Sequence, residues 1–232
     1  MNENLPQSET VLRTEQVDFI RKVYHWMTLS LLLTGAVAWW VSTTPTMIEM
    51  IFSNSLVFYG LLIGELLLVI YLTSAINKLS SVTASLLLMI YSGMNGLTLS
   101  VIFLAYTSAS ITTTFFITAG TFAAMSIYGY TTKQDLTKIG NLAFMGLIGI
   151  IIASVVNLFL HNEVMYWIIT YAGVLIFVGL VAYDTQKLKK MHEEGFENPE
   201  VAEKGAVMGA LALYLDFINL FLFLLRIFGG RK

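Results

Sequence analysis

Cysteine is absent from this 232-residue chain. Disulfides, thiol catalysis and cysteine-based zinc sites are thereby excluded. Charge is scarce: Asp, Glu, Lys and Arg make up 12% of the residues, against roughly 25% in a soluble domain. A globule this size could not cover itself with so few charges. The net charge of −2 offers no basic field to a nucleic acid. Disorder needs low hydrophobicity and high charge, and the chain has neither. Apolar residues reach 56% and the mean hydropathy is +0.74. These values describe an integral membrane protein whose first partner is the lipid bilayer.

A helix needs about 20 mostly apolar residues to cross the hydrocarbon core. Seven segments qualify: Tyr24–Val41, Leu56–Ile76, Val82–Tyr106, Ile111–Tyr130, Ile139–Leu160, Val164–Asp184 and Val207–Phe228. They are apolar around most of their circumference, unlike a soluble helix with one greasy stripe. The breaks between them carry turn and charge signals, from Ser42-Thr43-Thr44-Pro45 to the longest loop, Lys187 to Lys204. The first run follows a polar stretch with four acids, so it reads as a retained span and not as a secretory signal. The expected organisation is a polar cytoplasmic tail over 1–22 and a seven-helix transmembrane domain over 23–232.

Orientation follows from the basic residues. With the N-terminus in the cytoplasm, the inside segments hold Arg13, Arg21, Lys22, Lys78, Lys133, Lys138, Lys187, Lys189, Lys190 and Lys204, and the three outside loops hold none. Positive loops stay in the cytoplasm. Arg226, Arg231 and Lys232 dissent, because an odd number of spans puts them outside.

Of the acids, only Glu65, Asp184 and Asp216 fall within the spans. A carboxylate in hydrocarbon costs about 2.5–3.5 kcal/mol or more, so such residues face the bundle interior and mark function. A structural hydrogen bond between helices is the plain alternative. In the last span Gly205, Gly209, Ala212, Asp216, Asn219, Phe223 and Arg226 share one stripe, by steps of four and three. Small-residue packing explains its glycines, but not an aspartate and an asparagine on the same line. Counting along the helices puts Asp184 about one turn below the surface and leaves several ångströms between it and Asp216.

Two segments carry a resemblance: Ala182-Tyr183-Asp184-Thr185-Gln186-Lys187-Leu188, and Leu211-Ala212-Leu213-Tyr214-Leu215-Asp216-Phe217-Ile218-Asn219-Leu220-Phe221. With seven spans in this length, the chain resembles the Bax inhibitor-1 family of transmembrane Bax inhibitor motif proteins, in particular its bacterial inner-membrane members. The resemblance implies an all-α bundle with the seventh helix central. It implies a pH-sensitive calcium leak governed by two membrane aspartates, which match Asp184 and Asp216, where calcium would bind in passing. The family's second-span acid matches Glu65, and Asn219 joins it along the ion pathway. No cofactor is implied; calcium is the permeant ion and protons are the signal. Some members carry an arginine at the cytoplasmic end of span two, where this chain offers only Lys78.

Rival chemistries lack their motifs, and the chain reads as a non-enzyme. An intramembrane aspartyl protease would share Tyr183-Asp184, but needs Gly-x-Gly-Asp where Asp216 follows Leu213-Tyr214-Leu215. His192-Glu193-Glu194 lacks the second histidine of a zinc protease. A retinal protein needs a lysine inside the last span, which has none. The remaining alternative is a non-transporting modulator of a membrane protease or other quality-control machinery, docking through the tail or the Lys187–Lys204 loop.

Overall fold

The computed structural model describes the backbone from Leu5 and the side chains from Asp18 to Lys232. The first four residues of the expected tail lie outside the described residues. Among those described there are nine α-helices and no strand: α1 Leu5–Ser42, α2 Pro45–Phe52, α3 Ser55–Ala75, α4 Ser81–Leu99, α5 Val101–Ala105, α6 Ser108–Thr131, α7 Thr137–Leu160, α8 Glu163–Glu193 and α9 Pro199–Phe228. The protein is an all-α membrane protein.

Six stretches are long and apolar enough to cross a membrane, and α1 with α2 makes a seventh when the two are taken as one span bent by 100°. Each expected span falls on helix, with corrected edges. α1 runs unbroken from the tail into the first span. The third span is two helices, α4 and α5, parted at Ser100, whose hydroxyl donates to the Leu97 carbonyl at 2.6 Å. Most of the expected Lys187–Lys204 loop is helix. α8 continues to Glu193 and α9 begins at Pro199, leaving a short connection that turns at Gly195, with φ of +83°. Proline at the first helical position suits α9, because its missing N–H would have no partner there.

The chain divides into two compact units. One comprises Met1–Phe103 and Leu188–Leu211; the other comprises Leu104–Lys187 and Ala212–Lys232.

In the first unit α1 packs on α4. A Cβ at Gly96 would meet the Thr34 carbonyl at 2.8 Å, so only glycine lets these backbones approach. Ser30 and Thr34 on α1 are buried, and Thr34 donates to the Ser92 carbonyl at 2.9 Å. The start of α9 is tied in twice. The Ser81 hydroxyl at the head of α4 donates to Glu200 at 2.9 Å, and Lys22 of α1 pairs with Glu203.

The second unit has its own core of Ala143, Ile150, Ile169, Phe177, Leu180, Leu220 and Leu224, drawn from α7, α8 and α9. Two glycines set the height of α8. Gly129 of α6 lies against the Ala182 carbonyl, and Gly140 of α7 lies under the Tyr183 ring.

α9 is the most enclosed span. In its most apolar stretch 61% is buried, against 11–44% in the other five.

Candidate functional site

Asp184 and Asp216 meet. Their carboxyl groups are hydrogen-bonded to each other across α8 and α9 in the second unit. The gap of several ångströms expected from counting is closed. The count stopped α8 at Asp184, whereas the helix runs on to Glu193, so Asp184 sits within a helix and not at its end.

The local packing explains why the pair is held. Ala182 and Tyr183 are each pressed against a glycine of a neighbouring helix. Two residues past Asp184, Gln186 accepts from the Leu136 N–H at 2.8 Å and donates to the Gln134 carbonyl at 2.8 Å. On the other helix of the pair, Phe217 lies between Phe115 and Phe122, both at 5.5 Å. Gly173 faces the Phe223 ring, which a Cβ would meet at 2.6 Å. Asp216 is only 4% exposed.

A hydrogen bond between two carboxyl groups contains a proton, since two carboxylates have nothing to donate. Two carboxyl groups in such a contact can hold one proton and one negative charge between them. Oδ2 of Asp216 is buried and accepts no N–H or hydroxyl hydrogen bond among the described residues. Lys187, one turn along α8, is the cation that acts on Asp184.

Among the described residues no group of three or more Asp, Glu or His side chains could hold a metal ion. A calcium ion meeting two carboxyls would take most of its oxygens from water.

Glu65 belongs to the first unit. Most of α3 is lipid-facing, with 11% of its span buried, yet Glu65 is only 9% exposed. It accepts from the Thr98 hydroxyl at 3.0 Å. Close by along α4, Asn95 donates to the Tyr91 hydroxyl at 3.3 Å. The acid has been turned inward and partnered, as a carboxyl in a span must be. Asn219 bonds its own helix, its amide donating to the Leu215 carbonyl at 2.8 Å. Of the four expected site residues, two are brought together by hydrogen bonding.

Reading the sequence missed Gln186, and also a line on α6. Thr114, Thr118, Phe122, Ser126 and Gly129 are all buried on one face of that helix. The hydroxyls of Thr114 and Ser126 have no partner among the described residues. The spacing of four was there to be read, but hydroxyls alone are ordinary in a span, where they bond back to the preceding turn.

Residues 16–232 match the family model described as inhibitor of apoptosis-promoting Bax1. The inner membrane protein YbhL of Escherichia coli K12 is 50% identical over 233 residues, covering 99% of this chain and all of the relative. A Borreliella burgdorferi protein is 47% identical over 214 residues, 92% of each chain. A Streptococcus pyogenes membrane protein is 36% identical over 231 residues, 99% of each.

Proposed function

The chain belongs to the family of Bax1 inhibitors, as a multi-pass inner membrane protein, and from this we propose that it is a proton-sensitive calcium leak gated by Asp184 and Asp216. The observation that carries the reading is the hydrogen-bonded contact of the two carboxyls inside the spans.

The sign follows from the chemistry. At low pH the pair holds its proton, the two helices are clasped, and little negative charge faces a cation. As pH rises the proton leaves. Two carboxylates in contact repel, the clasp opens, and a negatively charged opening receives calcium. Entry into an inside-negative compartment gains about 2.3 kcal/mol per charge per 100 mV, so a divalent ion needs no other energy source. Glu65, with Thr98 as its partner, is a polar station for the ion within α3. The protein has no catalytic task in this reading. A proton-sharing aspartate pair also serves aspartyl proteases, but the Gly-x-Gly-Asp motif is missing.

The test is calcium flux into sealed vesicles holding the purified chain, measured across pH. Flux that rises with pH in the wild type and loses that dependence in Asp216→Asn supports the gate. Unchanged flux and pH profile in both aspartate variants would sink it, and the modulator of a membrane protease would take its place.

A further inference from the structure

The three basic residues that break the charge rule end in an ordered place. The tail after α9 is pinned to the segment before α6. Thr107 N–H donates to the Gly230 carbonyl at 3.1 Å, and Lys232 N–H donates to the Ala105 carbonyl at 3.0 Å. Gly230 N–H donates to the Ser110 hydroxyl at 2.9 Å. Arg231 is therefore held by its backbone.

Its guanidinium then meets Arg226 on one side chain. Arg231 hydrogen-bonds the hydroxyls of Tyr106 and Tyr166. Arg226 lies over the face of the same Tyr166 ring, 5.4 Å from its centroid, and 5.1 Å from that of Phe223. One tyrosine thus gathers two permanent cations. They line a cavity of about 640 Å³ together with Asn157, His161, Glu163 and Tyr166. Glu163 is the only acid on its wall, and among the described residues neither arginine has an ion-pair partner. Its two arginines and one acid leave the wall with one net positive charge.

The rest of the wall is membrane-like. Leu158 and Trp167 also line the cavity. Leu158 is 70% exposed, and Trp167 stacks on Tyr171 at 5.7 Å. Aromatic rings of this kind sit at the headgroup level of a bilayer.

We infer that this cavity binds the phosphate of an anionic phospholipid headgroup, held by Arg226 and Arg231. Guanidinium matches phosphate oxygens two at a time, one phosphodiester cancels the residual charge, and the exposed Leu158 and half-buried Trp167 flank the acyl chains. Basic residues on the face opposite the positive loops then have a reason: they are an anchor for lipid.

The test uses the full chain purified in a neutral detergent. Thermal unfolding is followed while phosphatidylglycerol, phosphatidylcholine or inorganic phosphate is added, and bound lipid is counted by native mass spectrometry. Phosphatidylglycerol should stabilise and remain bound, with the other two far weaker. Arg226→Gln and Arg231→Gln should each weaken that binding on the order of tenfold, as loss of a charge-assisted hydrogen bond does. Tyr166→Phe keeps the ring under Arg226 and removes one hydroxyl from Arg231, so it should weaken binding less while leaving the fold intact. Equal stabilisation by phosphatidylcholine, or by inorganic phosphate, would overturn the assignment. So would phosphatidylglycerol binding that survives Arg226→Gln with Arg231→Gln. None of these readouts depends on calcium flux or on the aspartate pair.

Discussion

At the scale of single residues, the aspartate pair turns on one proton. Asparagine keeps the shape of aspartate but can neither release a proton nor become an anion. Asp184→Asn and Asp216→Asn should each flatten the pH response of calcium flux, and the double variant should be little worse than either, because the two act as one unit. Glu65→Gln should lower flux and leave the pH response in place, since Glu65 bonds Thr98 in the other unit and has no share in that proton. Gln186 supports the pair from behind. Gln186→Ala would leave the buried Leu136 N–H without its acceptor, a loss of about 1–3 kcal/mol, visible as a lower unfolding temperature in detergent. The acids were legible in the sequence because carboxyls in spans are rare. Gln186 was not, because an amide near a span end is common, and only the fold reveals its two partners.

At the scale of elements, the spans were legible and their ends were not. Hydropathy reports where a helix stops being apolar, whereas the backbone stops where hydrogen bonding fails. α8 therefore runs nine residues past Asp184 to Glu193, through lysines and a histidine that a hydropathy reading assigns to a loop. The contact of Asp184 with Asp216 was lost to the same cause. The close approaches could not be read either, since nothing in the sequence separates Gly129, packed on the Ala182 carbonyl, from Gly149, with open space about its Cβ position. The difference can be measured. Gly129→Ala must push backbone against backbone and should destabilise by about 1–3 kcal/mol, while Gly149→Ala should be neutral or slightly stabilising through its better helix propensity. Thermal unfolding of both variants tests it; equal effects would mean that α6 and α8 are not in contact at Ala182.

At the scale of the whole molecule, the open quantity is the number of crossings, because α1 and α2 count as a span only together. Contacts within the first unit decide it by parity. Lys22 pairs with Glu203, and Phe19 stacks on His192 at 5.8 Å, so the start of the first span and the α8–α9 connection share a membrane face. Between Lys22 and Glu203 the chain passes through α1 with α2, then α3, α4 with α5, α6, α7 and α8. Six crossings return it to the same face. If α1 and α2 only dipped into the membrane, five would leave it on the opposite one and the ion pair could not form. The bond from Ser81 to Glu200 spans four crossings and obeys the same rule. Seven spans therefore follow from the contacts, and the lysine and arginine distribution predicts that the shared face is the cytoplasmic one. In this cysteine-free chain, Asp18→Cys and Glu197→Cys should both resist an impermeant thiol reagent applied to intact cells and react in inverted vesicles, whereas Asn162→Cys should react from outside. Labelling of Asp18→Cys from outside with Glu197→Cys protected would make α1 and α2 a re-entrant hairpin and remove the ion pair on which the count rests. Labelling of both from outside would keep the seven spans and reverse their orientation.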